Sequence, residues 1–380
     1  MLIAYICFAL LRPLPTPKIS LNTPASTAAQ TVSLPWPSYG QSAVGAAGYG
    51  VLASVGTQKT FPIASVAKVL TALSVLQQKP LKPGEQGPTI TLTAQDVQFY
   101  QNYVAIDGSV VPVTAGEQIT EYEALQALML PSANNMAQTL ATWAFGSESA
   151  YTTYANNYAT KLGMTNTHIA DASGFSPNTT SNATDLVKLG LAAVNNTALA
   201  IIVGQSTANI PVAGTVHNVN ALLGEANING IKTGNTDQAG GCFLSASDTV
   251  VGGRTVKVVT AIEAAPDLGT ALHDTVPLVR AVPDGFTETT AIKANQQMGK
   301  ITSAWGASVP VEAEKSISFA QWRGNSTTAH VTSKPVGSKV SKQAVIGSAT
   351  VTSQGQSYTI NLVAGSDLAR PGLWWRLSHP

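Results

Sequence analysis

Residues 61–80 read FPIASVAKVLTALSVLQQKP. Val66, Val69, Leu70, Leu73 and Leu76 recur at helical spacing, which predicts a helix ending near Pro80. Ser65 and Lys68 stand at i and i+3 on it and share one face. Lys68 is the only charged residue between Phe61 and Gln78. On so apolar a helix an ammonium is partly desolvated, and loss of water lowers its pKa. A neutral amine beside a hydroxyl is a general base beside a nucleophile. The plainer reading is a surface serine and a surface lysine, and the Ser-x-x-Lys pattern alone does not separate the two.

The elements on either side predict an α+β chain. Residues 33–60 carry two short alternating runs broken by glycine, a β-hairpin pattern. Glu121 to Leu130 and Asn135 to Ala144 are helical runs separated at Pro131. DASGFSPNTTSNA, residues 171–183, is rich in turn formers, and Asn182 is placed to cap a following helix, DLVKLGLAAV. After Gly230 come strand patterns, IKTG, CFLSAS and TVKVVTAI, then a helix over 267–281. Pro283-Asp284-Gly285 is a turn, and short alternating strands run from there to about 365, with VIGSATVTSQGQSYTINLV the clearest hairpin. The predicted organisation is an apolar N-terminus and linker over 1–32, a first domain over 33–283, a β-rich domain over 284–365 and a tail over 366–380.

The chain has 380 residues, 44 % hydrophobic and only 11 % charged, with a net charge of +1. It carries no basic footprint for nucleic acid and no block of like charge that would keep it unfolded. Cys7 and Cys242 are too few for a disulfide framework, and the histidines are scattered away from any metal-ligand spacing. The composition therefore points to neither a metal nor another cofactor. At the N-terminus LIAYICFALL is too short to span a bilayer and lacks a basic flank. Pro13, Pro15, Pro17 and Pro24 follow, so residues 12–32 read as a flexible spacer behind an export signal or membrane anchor. At the other end, PGLWWRLSHP places Trp374 and Trp375 beside Arg376, and packing of both rings on the β-rich domain is the simpler expectation.

Two further patterns have chemical content. Ser-x-Asn occurs at Ser20–Asn22, Ser132–Asn134 and Ser176–Asn178, but only the second sits in a tight break between two helices. There a hydroxyl and an amide can project into a cleft, or simply cap the next helix. Lys232-Thr233-Gly234 lies on a strand pattern. A cation and a hydroxyl beside a residue without a side chain suit a carboxylate-bearing ligand along a strand edge. The alternative is an edge strand with an ordinary exposed lysine.

Taken in order, Ser-x-x-Lys, Ser-x-Asn and Lys-Thr-Gly resemble the three-part signature of the penicillin-binding and serine β-lactamase superfamily. PIASVAKVLTAL, LMLPSANNMA, GMTNTH with DASGF, and INGIKTGNTDQAGGCFLSA narrow the resemblance to low-molecular-mass D-alanyl-D-alanine carboxypeptidases of the peptidase S11 family, over roughly residues 33–283. It implies a penicillin-binding fold, an antiparallel sheet flanked by helices plus a helical part, followed by a small all-β domain. It also implies roles. Ser65 is the nucleophile on the penultimate D-alanine of a peptidoglycan stem peptide and Lys68 takes its proton. Ser132 relays a proton to the leaving amine and Asn134 holds the substrate amide. Lys232, Thr233 and Gly234 receive the terminal carboxylate and backbone, and the backbone N–H groups of Ser65 and Asn235 form the oxyanion hole. β-Lactams acylate the same serine, and the setting is the bacterial cell envelope outside the cytoplasm.

One departure stands out. Several family members carry an arginine beyond the strand that follows Lys-Thr-Gly, whereas AIEAAPDLGTALHD has none, and Arg254 lies in the preceding turn. A class A β-lactamase would need a deacylating glutamate before Lys232, and Glu148, Asp171, Asp185 and Glu225 match no such setting. An endopeptidase acting on cross-links would use the same residues. A non-catalytic peptidoglycan-binding protein would lack part of the three-motif set.

Overall fold

In the computed structural model, which describes residues 2–379, every residue from Lys68 to Leu76 is buried. A helix covered on all sides belongs at the centre of its domain. This one, Lys68–Gln78, is packed by the helices Glu121–Met129, Asn134–Phe145, Glu148–Lys161 and Ala183–Asn195. Each fully buried leucine such as Leu70 contributes about 1.5–3 kcal/mol. The helix starts later than the spacing predicts. Phe61–Pro62 pairs as a short strand with Thr180–Ser181, and Ala64–Ala67 forms a 3-10 turn. Ala64 takes a left-handed φ of 46°, which a regular helix cannot accommodate.

Polar residues start the neighbouring helices. Thr120 and Glu123 exchange bonds in a capping box, and Asn182 Oδ1 accepts from Asp185 N at 2.9 Å, as the sequence pattern indicates. The helices Ala94–Val104 and Glu148–Lys161 have no clear apolar stripe in the sequence. Local signals reveal only their caps, Thr93 with Asp96 and Ser147.

The same unit, Ser33–Gly285, holds a five-stranded antiparallel sheet. Its order is Ile228–Thr236, Gly240–Val251, Arg254–Ala265, Gln41–Ala46, Gly50–Val55. Cys242, Leu244 and Ala246 face the helical core, while Phe243 and Ile262 turn to the helix Leu268–Ala281, so both faces are covered. The Lys232-bearing strand is an edge, in register Lys232↔Leu244 and Gly234↔Cys242.

The second unit combines the residues up to Val32 with those from Phe286 onward. Its six-stranded sheet runs Lys18–Leu21, Gln297–Thr302, Ser308–Ala313, Gln356–Ala364, Val345–Ser353, Thr327–Ser333, with a separate pair Phe286–Ile292 and Ile317–Trp322. The expected free spacer over 12–32 is corrected here. Lys18–Leu21 pairs with Gln297–Thr302 in full register, and Gln30 N donates to Arg323 O at 2.7 Å. The prolines delimit an edge strand, where a missing N–H costs least. The tail expectation is also corrected in part. Trp375 meets Trp305 edge-on at 6.0 Å and lies under the Arg12 guanidinium, but Trp374 is 83 % exposed. Consecutive residues of the short helix Leu373–Ser378 point in different directions, so both rings cannot face the sheet.

One buried acid stands out in the first unit. Glu263 is fully buried and accepts from Gln41 Nε2 at 2.6 Å, while its other oxygen has no partner. Burial pushes its carboxyl up to about 8. The folded chain therefore keeps a proton that the unfolded chain releases near the ordinary glutamate value, and stability falls as pH rises through that window by on the order of 1.4 kcal/mol per unit. Glu263→Gln removes the penalty. Thermal denaturation should show its melting temperature gaining on the parent chain between pH 5 and pH 8. An equal difference at both pH values would mean Glu263 does not titrate in that range.

Candidate active site

The 3-10 turn brings Ser65 and Lys68 together, because side chains at i and i+3 eclipse in that geometry. Lys68 Nζ lies 2.7 Å from Ser65 Oγ. The same nitrogen donates to Asn134 Oδ1 at 2.7 Å and to the backbone carbonyl of Ser173 at 2.8 Å. Lys68 is fully buried, so the surface-lysine alternative falls. Desolvation holds its pKa well below the ordinary lysine value, the nearby Lys232 charge lowers it further, and Asp171 raises it.

A neutral amine has two N–H bonds and one lone pair. With two carbonyl oxygens accepting from Nζ, a deprotonated Lys68 would present its lone pair to the Ser65 hydroxyl. This arrangement can accept the Ser65 proton as the oxygen attacks a carbonyl carbon.

Ser132 sits two residues before Asn134 with φ of 67°. The helix Asn134–Phe145 is preceded by Ala133 with no side-chain cap, so capping does not explain Ser132 or Asn134. Asn134 N instead donates to Ser109 O at 2.7 Å, which ties the loop before the helix to residues 107–110. Left-handed backbone at Ala64 and Ser132 costs on the order of 1 kcal/mol each, the first next to Ser65 and the second two residues before Asn134.

The Lys232 strand lies against the turn that carries Ser65. A Cβ on Gly234 would meet Ile63 O at 2.8 Å and Ala64 Cβ at 3.2 Å, so the approach of strand to turn itself requires glycine there. Lys232 is buried, not the exposed edge lysine of the alternative reading, and its Nζ donates to Thr233 O at 3.1 Å. Burial brings its pKa down to about 7. Thr233 is buried beside it and Asn235 is exposed at the strand end. Direct contacts thus join Ser65, Lys68 and Asn134, and the strand carrying Lys232 and Gly234 presses on Ile63, Ala64 and Val66 beside them. Arg254 starts the strand at the opposite end of the ladder, paired with Val251, and does not approach Gly234. Cys242 is an inert packing residue, its thiol pushed up to about 12 by burial.

Residue-type reasoning missed the loop 171–175. Thr71 Oγ1 donates to Ala172 O at 2.7 Å and bonds Tyr151 Oη, and Tyr103 packs edge-on to Phe175 at 5.9 Å. DASGF was visible in the sequence, but it acts through a backbone carbonyl, which residue identity does not announce.

The family model for D-alanyl-D-alanine carboxypeptidase, peptidase S11, matches residues 43–263. The chain belongs to this family. A curated family relative, D-alanyl-D-alanine carboxypeptidase DacA of Escherichia coli, is 27 % identical over 206 residues, covering 51 % of each chain. A D-alanyl-D-alanine endopeptidase of Pseudomonas aeruginosa is 29 % identical over 204 residues, covering 51 % of this chain and 62 % of that one. The chain thus spans about half the length of DacA. Penicillin-binding protein 5 from Haemophilus influenzae superposes with a TM-score of 0.60 at 17 % identity, covering 90 % of this chain and 99 % of that one. The fold is the penicillin-binding protein fold, α+β with a β-rich unit.

Gly174 carries a test of the site's framework. It has φ of 75°, and a Cβ there would lie 1.8 Å from Ala64 O, whereas Gly146 has φ of 83° and open space around it. Gly146→Ala should cost roughly 1 kcal/mol of left-handed strain. Gly174→Ala should cost clearly more, measured by chemical denaturation of both variants. Equal losses would show that the loop does not bear on the turn.

Proposed function

We propose that the chain is a serine D-Ala-D-Ala carboxypeptidase that removes the terminal D-alanine from peptidoglycan stem peptides. The observation that carries the reading is the buried Lys68 amine, bonded to two carbonyl oxygens and with Ser65 Oγ at 2.7 Å. Family membership supports the same reading.

In this mechanism Ser65 Oγ bonds to the carbonyl carbon of the penultimate D-alanine while its proton passes to Lys68 Nζ. The backbone N–H groups of Ser65 and Asn235 stabilise the oxyanion. Collapse breaks the C–N bond, and Ser132 passes the proton to the leaving amine of D-alanine. Asn134 aligns the substrate amide. Lys232 and Thr233 bind the terminal carboxylate, whose negative charge restores the ammonium form that burial disfavours. Water then cleaves the ester on Ser65. Without a family-type arginine, carboxylate binding rests on Lys232 and Thr233.

The acids nearest the amine argue against rapid release of a β-lactam. Asp171 accepts from Ser173, Phe175 and Thr179, and Glu148 from Ala172 N and Gln138 Nε2. Both carboxylates are engaged in holding the loop and its neighbours, which fits β-lactams acting as slow substrates that block the site.

The working place proposed is the bacterial cell envelope, with the N-terminal helix Leu2–Leu11 resting on the membrane surface. Phe8 and Leu11 on that helix are exposed, as is Trp374, and Tyr5 Oη donates to Leu377 O at 2.6 Å, which holds the two terminal helices side by side. Among the described residues no single helix is long and apolar enough to cross a membrane. Deleting residues 2–11 should abolish co-sedimentation with phosphatidylglycerol vesicles, and unchanged co-sedimentation would refute this contact.

A fluorescent penicillin should label the protein and fail on Ser65→Ala, and label retained by that variant would remove Ser65 as nucleophile. Released D-alanine from a pentapeptide, set against cleavage of a cross-linked dimer, decides the substrate. Cleavage of the dimer alone would replace the carboxypeptidase with an endopeptidase working through the same residues.

A further inference from the structure

We propose that Asp171 is a positioning residue for Lys68, acting through the loop Asp171–Phe175 to hold the Ser173 carbonyl on the amine. The inference rests on the reading of Lys68 as the base. It adds a residue that lies outside the three motifs.

The geometry is continuous from carboxylate to amine. Asp171 Oδ2 accepts from Ser173 Oγ at 2.6 Å, Ser173 N at 3.2 Å and Phe175 N at 3.0 Å. Oδ1 accepts from the buried hydroxyl of Thr179, whose oxygen in turn accepts from Ala170 N at 3.1 Å and Asp171 N at 3.2 Å. The loop closes over one carboxylate, and the carbonyl of Ser173 emerges on Lys68 Nζ at 2.8 Å. Gly174 is wedged under Ala64 O, so the same loop also supports the turn that carries Ser65.

Charge is needed here as well as shape. Every group bonded to Asp171 is a donor, and only an acceptor-only carboxylate can receive them all. Asparagine would have to turn its NH2 toward Ser173 and Phe175 or toward Thr179, and either choice sets donor against donor.

The carboxylate also acts on the amine across space. The groups facing Lys68 are Ser65 from the turn, Asn134 from its helix, the Ser173 carbonyl from the loop and Lys232 from the edge strand. Tyr103 Oη stands 3.3 Å from Ser173 Oγ, Tyr151 Oη bonds Thr71, and Glu148 Oε1 accepts from Ala172 N at 3.1 Å. Of the charged groups, Lys232 lowers the amine's proton affinity and Asp171 raises it. Asp171 thus offsets part of the desolvation and of the Lys232 charge, which keeps the amine basic enough to take the serine proton.

The test is the pH dependence of acylation by a chromogenic penicillin, with each rate scaled to the fraction of active sites titrated by a fluorescent penicillin. The parent chain should show an acidic limb from protonation of Lys68. Loss of the Asp171 charge lowers the amine's proton affinity, so D171N should move that limb down by about half a pH unit and lower the plateau rate. Asp171→Glu keeps the charge and should keep the limb where it is, even if the plateau drops. A loop with only a structural role would reduce the active fraction without moving the limb. An unmoved limb in D171N therefore overturns the proposal. Should D171N yield no folded protein, Ser173→Ala removes the 2.6 Å bond but keeps the carbonyl. It should slow acylation several-fold while the limb stays in place, because the Asp171 charge remains, and a wild-type acylation rate in that variant overturns the proposal too. A parent chain with no acidic limb would fail the Lys68 base reading instead, and Asp171 would fall with it.

Discussion

An amine removed from water needs partners for its N–H bonds inside the protein and holds its proton less tightly, and both are true of Lys68. Its helix is buried on every side, so no solvent reaches the nitrogen. Two carbonyl oxygens from separate segments accept from the nitrogen, and Ser65 Oγ takes a third direction around it. Ser65 stands there because a 3-10 turn, not a regular helix, precedes the lysine. The rest of the site is the structure needed to hold those three directions at once.

That requirement accounts for the tight backbone around the site. Ala64 and Ser132 adopt left-handed conformations, and glycines at 174 and 234 let a loop and a strand press against the Ala64–Ala67 turn. Such strain persists only where the surroundings over-determine it. Here the surroundings are the packed helical core on one side and the edge of the five-stranded sheet on the other. The second buried lysine, Lys232, follows from the same compactness. The Lys232 charge adds to burial in lowering the proton affinity of Lys68, and burial alone lowers that of Lys232, in keeping with the base and carboxylate-binding roles proposed for them.

Much of this was legible in the residues. The isolated charge of Lys68 on an apolar run, the break at Pro131 and the strand around Lys232 are local patterns, and each element exists near its expected place. Three things were not legible. The start of the Lys68 helix depended on a strand pairing between residues 61–62 and 180–181, which is a long-range contact. The segment Lys18–Leu21 looked like a proline-bordered linker until Gln297–Thr302 supplied its hydrogen bonds. Asp171 and Ser173 were ordinary turn residues in sequence, because their contribution runs through a carbonyl and a carboxylate that only folding points at the amine.

The sequence by itself determined the ingredients: one lysine among apolar neighbours, hydroxyl and amide residues at helix breaks, and a Lys-Thr-Gly strand in the right order along the chain. These are set by side-chain chemistry and by hydrophobic period, which act over a few residues. Tertiary structure alone decided that the lysine is dry, that a serine oxygen lies 2.7 Å from its nitrogen and that an acid from a distant loop tunes it. Proton affinity depends on water and on charges across space, and neither is a property of the residues next to it in the chain.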